Sequence, residues 1–359
     1  MNNRYLQSLA SLAVFFPDDL SDNDQKRLEA IEQECQTKIE EPEALFGYLF
    51  AKAMRKRLTG DASDEHIYLQ PFEVPQIRLF ELLIHQFPFA TLSQICANDL
   101  IVSTLSKCKK AVLADIGIGT GVQVANILGS LRQQPGLLTQ LTVVGVEPFG
   151  NALTTAVENM KAKRNQLPFE LHVRTANAFA ENLSPNDWQQ LLPAHYDGLC
   201  INASFALHHI RTERQRLETL TCLNALHPTA LILTEPNSDH FTRDYARRFA
   251  NAAHHYGILF EVIDRLAILP KEKTALKLFF SREIDDILGL PEDVRVEKHS
   301  ATYQWSKWLK DSGFELSKPP LHQVIPPLNM AEIRSDLPQR YGVFYGQEEV
   351  TSIFYATQR

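Results

Sequence analysis

The residue pattern predicts an α/β protein: a doubly wound, mostly parallel sheet with a helical cap contributed by the N-terminus and by an insertion. Three observations carry this expectation. Residues Ala111 to Gln123, AVLADIGIGTGVQ, pass from an apolar run through an acid into alternating glycines and then a helical pattern. Further apolar runs follow, separated by helical sequence, as in strand–helix alternation. Before Ala111 the chain shows helical periodicity and no strong strand signal.

In chain order, Ser21 followed by Asp24 reads as a capping box opening a charged helix to about Ile39. Leu45, Leu49, Ala53 and Leu58 continue a helical stripe, and Pro71, Pro75 and Pro88 punctuate the shorter pieces after it. From Ala111 the strands follow: LTVVGVE (Leu141 to Glu147), FELHVRTANAF (Phe169 to Phe179), Leu199 to Ala203, and ALILTEP (Ala230 to Pro236). Tyr245, Phe249, Ala253, Tyr256, Phe260 and Ile263 share one stripe of an insertion helix. Trp305, Trp308 and Leu309 belong to a later helix ending at Gly313. YGVFYG and TSIFYAT, separated by QEEV, read as a terminal hairpin. The expected organisation is 1–110 as an N-terminal helical cap region, 111–236 as the cofactor-binding core, 237–300 as a helical insertion, and 301–359 as the helix and strands completing the core.

Bulk properties narrow the classes. The 359 residues are 44% hydrophobic and 22% charged, ordinary for a globular enzyme, and the net charge of −7 argues against a nucleic-acid footprint. Five scattered cysteines with no C-x-x-C read as reduced thiols rather than a disulfide frame or zinc site. No apolar stretch approaches the roughly 18 residues of a membrane span. The first residues have too short an apolar core for a signal peptide. A cytoplasmic protein with neither nucleic-acid nor membrane partners is expected.

The spacing after Asp115 separates nucleotide-site types. A phosphate loop needs Lys-Ser or Lys-Thr after its last glycine, but Val122-Gln123 follows Gly121. A dinucleotide fingerprint needs its third glycine where Val122 stands. The D-x-G-x-G-x-G of Asp115, Gly117, Gly119 and Gly121 instead resembles the first motif of class I S-adenosylmethionine-dependent methyltransferases. That resemblance implies an acid at the methionine end of the cofactor and glycines passing beneath it.

Ligands of open α/β sheets bind outside the carboxyl ends of the strands. There Glu147 is placed to accept two ribose hydroxyls, Asn177 and Ala178 to lie beside an adenine, and Asn202 to face the centre of the crevice. Methyl transfer to oxygen or nitrogen needs alignment and loss of one proton, for which His208, Glu235 and His240 are the candidates, with His209 a further one. The adjacent pairs His208-His209 and His254-His255 do not favour a metal cage, since neighbours on a helix diverge by about 100°. No G-x-S-x-G elbow appears.

Several segments together resemble the GRAS domain family, a methyltransferase-like Rossmann family. AVLADIGIGTGVQ is similar to its VHIID segment, with Asp115, Gly121 and Gln123 at the characteristic positions. YDGLCINASFALHHI, FTRDYARRFANAAHHYGILFEVID and FFSREIDDILGLPEDVRVEKHSATYQWSKWLKDSGFEL match later family segments, and the roles of Arg282, Glu283 and His299 within them are open. The chain keeps the three-glycine turn and Glu147, and ends SIFYATQR without the plant tryptophan motif, which suggests a bacterial-type member. The resemblance implies S-adenosylmethionine as cofactor and a small-molecule substrate under a helical cap. The alternative is a non-catalytic module that binds a small ligand or regulates through protein interaction. A homodimer or a protein partner on the cap is the expected association.

Overall fold

Buried parallel strands need apolar side chains on both faces, and this chain supplies them in successive runs beginning at Ala111. The computed structural model describes residues 3–60, 74 and 76–359; Pro71 and Pro75 lie outside the described residues. Five helices come first: α1 (Arg4–Ala13), α2 (Asp22–Thr37), α3 (Pro42–Thr59), α4 (Gln76–His85) and α5 (Pro88–Leu105). The alternation that follows is β1 (Lys110–Ile116), α6 (Val122–Gln133), β2 (Gln140–Val146), α7 (Gly150–Lys163), β3 (Glu170–Ala176), α8 (Pro185–Leu191), β4 (Gly198–Ser204), α9 (Glu213–Asn224) and β5 (Ala230–Pro236). The insertion holds α10 (Tyr245–Arg265) and α11 (Pro270–Gly289). The chain closes with α12 (Thr302–Asp311), β6 (Phe314–Ser317), β7 (Ala331–Arg334), β8 (Tyr341–Tyr345) and β9 (Glu348–Gln358).

The chain divides into two units, Met1–Phe87 with Ser238–Ser300, and Pro88–Asn237 with Ala301–Arg359. The sequence pattern set the first boundary near 110, whereas α5 lies within the sheet unit. Its buried Phe89, Leu92, Cys96, Leu100 and Ile101 belong to a helix packed against α6, β4, β5 and β9.

In the sheet unit the strand order is β3-β2-β1-β4-β5-β9-β8-β7, with β6 also on β9. Strands β1 to β5 are parallel, and β9 runs antiparallel to β5. The direction of winding reverses between β1 and β4, which opens a crevice at their carboxyl ends. Strand β9 is long enough for Glu348 to Ile353 to pair with β8 while Tyr355 to Gln358 pair with β6. The hairpin turn is tighter than the QEEV spacing suggests, because Glu348 and Glu349 already pair with Tyr345 and Phe344.

Strand side chains alternate between faces. Val112, Ala114, Ile116, Leu231 and Leu233 pack with Trp188, Trp305, Trp308 and Phe314 in one core. Leu113 and Asp115 therefore turn to the opposite face. In the Trp core, the Arg216 guanidinium lies 5.0 and 5.1 Å from the rings of Trp305 and Trp308. It donates to the carbonyls of Ile210 (2.9 Å) and His208 (2.7 Å), pinning the loop after β4.

The helical unit builds its core from aromatics. Phe46 meets Phe50 and Phe260, Phe50 meets Phe249 edge-on, and Phe16 stacks on Tyr245. The Ser21–Asp24 capping box opens α2, and Tyr245, Phe249, Tyr256, Phe260 and Ile263 are the buried stripe of α10, with Ala253 half-buried.

Arg216→Met keeps apolar bulk between the tryptophans but removes a charged donor from two buried carbonyls. It should lower unfolding free energy by about 2–4 kcal/mol in urea titration; a loss below about 0.5 kcal/mol would contradict the pinning role.

Candidate functional site at the carboxyl ends of the parallel strands

The loop leaving β1 takes left-handed backbone at each glycine: Gly117 (φ 74), Gly119 (φ 53) and Gly121 (φ 77). Two of them have distinct reasons. A Cβ on Gly117 would lie 2.8 Å from Ala206 Cβ, so the close approach of the β1 and β4 loops requires its absence. A Cβ on Gly119 would meet nothing within 4 Å, so there the loop borders open space.

Glu147, at the end of β2 and 5% exposed, faces this turn. Its Oε2 accepts from the Gly119 N–H at 2.9 Å and its Oε1 from the Phe149 N–H at 3.2 Å. Burial raises its carboxyl above the usual range, opposed by those two N–H bonds. Each oxygen keeps a further lone pair for a ligand hydroxyl. Asn177 spends its amide N–H groups on the carbonyls of Glu147 (3.0 Å) and Pro148 (2.9 Å), fastening the β2 loop, and Oδ1 is its acceptor atom. Ala178, half-buried, follows it.

Asp115 and Asn202 are register neighbours on β1 and β4. The Asn202 Nδ2 donates to Asp115 Oδ1 at 2.6 Å and reaches Gln123 Oε1 at 3.3 Å, while Gln123 Nε2 donates to Asn98 Oδ1 at 3.1 Å. Ser204 Oγ donates to Asn202 Oδ1 at 3.3 Å. This chain of amides surrounds a carboxyl that is 3% exposed. Burial pushes Asp115 up to about 7; the Asn202 bond lowers it and the nearby Glu147 charge raises it. Asn98 and Ser204 were not anticipated: Asn98 comes from α5, outside the strand-end positions.

On the other face, Glu235 at the end of β5 is fully buried and accepts from Leu207 N–H (2.8 Å) and the His208 ring at Nδ1 (2.6 Å). Burial would raise its carboxyl, but the charge and hydrogen bond of His208, the Leu207 N–H and Arg216 together hold it below the usual range. The loop it grips carries Phe205 in left-handed backbone (φ 54), where its N–H donates to Thr234 carbonyl at 2.8 Å. His209 sits beside His208 with ring centroids 4.1 Å apart.

The third histidine, His240, belongs to the helical unit. It is fully buried, with Nε2 2.9 Å from Ser238 Oγ and Nδ1 3.0 Å from His299 Nδ1. Burial, then the charges of His299, His255 and Arg295, push it well below the usual imidazole range, so it is neutral at pH 7. His255 is buried beside it and His254 is exposed. Arg282, Glu283 and His299 are also buried in this unit, Glu283 accepting from the Tyr256 hydroxyl at 2.8 Å.

The sheet order and glycine turn define a class I methyltransferase-like Rossmann fold. The model of the GRAS domain family matches residues 5–322, and the chain belongs to that family. Its relatives include the DELLA protein GAI of Solanum lycopersicum, 23% identical over 288 residues, covering 74% of this chain and 48% of that protein. The Scarecrow-like transcription factor PAT1 of Arabidopsis thaliana is 22% identical over 262 residues, covering 68% and 52% respectively. The chain spans about half the length of such curated relatives. The solved structure of SCL7 in Oryza sativa superposes with a TM-score of 0.78 at 18% identity, covering 98% of this chain and 99% of that one, and shows the shared fold.

The Asp115 carboxyl makes a stability prediction. Folded, it holds its proton to about pH 7; unfolded, it releases near its ordinary value of 3.8. The folded state then binds more protons between these values, so stability falls as pH rises from about 4 to 7 and levels above. Asp115→Asn keeps the Asn202 bond through its amide oxygen and removes that loss. The variant should exceed wild type by about 2–4 kcal/mol at pH 8 and by less at pH 5 in urea denaturation; a difference independent of pH would contradict the buried-carboxyl account.

Proposed function

We propose that this GRAS-domain protein binds S-adenosylmethionine in the crevice at the carboxyl ends of β1, β2 and β4 and transfers its methyl group to a small molecule. The observation that carries this reading is the pairing of two buried carboxyls with the glycine turn. Glu147 is clasped to the Gly119 N–H, and Asp115 is held by Asn202 beneath the same turn. The chemistry of these donors fits the ligand. A carboxylate with free lone pairs suits a ribose diol, an acid among amides suits an ammonium group, and the open space at Gly119 suits close passage of a ligand. Gln123 and Asn98 support the Asn202 amide, and Asn177 Oδ1 and Ala178 flank the adenine end.

When bound, the cofactor supplies an electrophilic methyl group on a sulfonium. This chain's own residues then align the acceptor and take its proton. His208 is the base in this reading: Glu235 against its Nδ1 fixes the ring and stabilises the imidazolium that results. His240, enclosed in the helical unit, shapes its surroundings instead. A cytoplasmic location and an absence of nucleic-acid partners complete the proposal. Among the described residues no helix is long and apolar enough to cross a membrane.

A second reading is a regulatory module that binds the ligand or a protein partner without turnover, with a homodimer or a protein partner on its helices. It is favoured by relatives named as DELLA proteins and a Scarecrow-like transcription factor.

Calorimetry with S-adenosylmethionine separates these readings from a site that binds neither cofactor nor product. Wild type should bind in the micromolar range. Glu147→Ala should weaken binding by about 1.5–3 kcal/mol through lost charged hydrogen bonds, and Gly119→Val should remove it. Folded wild-type protein that binds nothing at millimolar ligand would refute the cofactor site. If the cofactor binds, His208→Asn should leave affinity intact and abolish methyl transfer to an accepted small molecule; unchanged turnover would exclude His208 as base.

A further inference from the structure

Two carboxylates and an imidazole converge inside the helical unit. One ligand atom each from Glu283, Glu297 and His299 lie within 4.8 Å of one another. Glu297 is fully buried, His299 is 2% exposed and Glu283 is 9% exposed. Glu283 comes from α11, and the other two from the extended segment that follows it, so the three donors arrive from two structurally different pieces of chain.

From this geometry we infer that Glu283, Glu297 and His299 form a binding site for a divalent first-row transition cation. A divalent ion neutralises both carboxylates and takes the neutral imidazole as its third ligand, a mixed oxygen and nitrogen set suited to manganese, iron or zinc. Donor atoms around such an ion stand about 3–4 Å apart, given metal–ligand bonds near 2.1 Å. Small side-chain rotations close the observed spacing.

The surrounding groups are those that hold metal ligands in place. His299 Nε2 lies 3.3 Å from Glu297 Oε2, on the ligand side of the ring. Its other nitrogen, Nδ1, is 3.0 Å from His240 Nδ1, and His240 Nε2 is 2.9 Å from Ser238 Oγ. With Nε2 on a metal, the Nδ1–H of His299 donates to His240, whose own Nε2–H donates to Ser238. One tautomer is thereby selected along the whole relay, as outer partners do for metal-bound histidines. The Tyr256 hydroxyl donates to Glu283 Oε2 at 2.8 Å and orients that carboxylate in the same manner. The role gives His240 a function as a positioning residue.

The 359-residue protein, stripped with chelator and exchanged into chelator-free buffer, would be titrated calorimetrically with Zn²⁺ and with Mn²⁺. One ion per chain should bind to wild type. Glu283→Gln retains the Tyr256 hydrogen bond through its amide oxygen and should weaken binding at least tenfold, as should Glu297→Gln. His254→Gln, at an exposed neighbouring histidine, should leave it unchanged. Cobalt substitution provides a reading that does not depend on the variants folding: wild type should show ligand-field absorption bands whose intensity saturates at one Co²⁺ per chain. No stoichiometric binding by folded wild type, or binding equally strong in Glu283→Gln, would overturn the site.

Discussion

A carboxyl buried where the sheet reverses its winding is the constraint on which the crevice depends. Asp115 sits at the last positions of β1, and its register partner on β4 is Asn202. An amide satisfies the geometry of a carboxyl but supplies no charge, so burial keeps the proton on Asp115 up to about pH 7. The neighbouring groups are arranged around this bond. Ser204 and Gln123 fix the Asn202 amide, Asn98 fixes Gln123, and the glycine turn follows directly after β1. Glu147 ties the turn to β2 through Gly119. A protein selected for stability alone would place an apolar or neutral side chain at position 115. In the proposed function this acid is the partner for a cationic group that arrives with the ligand.

The opposite face of the sheet solves a different problem. Glu235 is equally buried but is compensated within the chain, by His208, the Leu207 N–H and Arg216. Arg216 is itself clamped between Trp305 and Trp308. The strained backbone at Phe205 is carried by this set of contacts, which together position the His208 ring. The two acids are therefore held differently: Asp115 meets a neutral amide, whereas Glu235 grips the loop after β4 and the His208 ring.

Much of this was legible in the sequence. The parallel strands announced themselves as apolar runs, the Ser21–Asp24 box marked the start of α2, and the glycines marked the turn beneath the crevice. The parts that were not legible have physical reasons. β6 (FELS) and β7 (AEIR) are four residues each, too short for a period-two pattern to stand out. Helix α5 looked like the rest of the N-terminal helices because periodicity does not say which surface a helix covers. Asn98 and Ser204 carry no motif; they matter through hydrogen bonds to side chains far along the chain. Glu283, Glu297 and His299 are brought together only by the turn after α11, which no local spacing encodes.

Family membership and site chemistry speak to different levels. The GRAS domain accounts for the architecture shared with SCL7 in Oryza sativa, whereas the crevice of this chain is defined by which acids it keeps buried. The most direct measurement is the titration of the Asp115 carboxyl itself, followed by carbon-13 NMR with Asp115→Asn as the assignment control. The account predicts a midpoint near 7 in the free protein that moves down when S-adenosylmethionine saturates the site. A midpoint near 4 in the free protein, or one near 7 that ligand does not move, would contradict it.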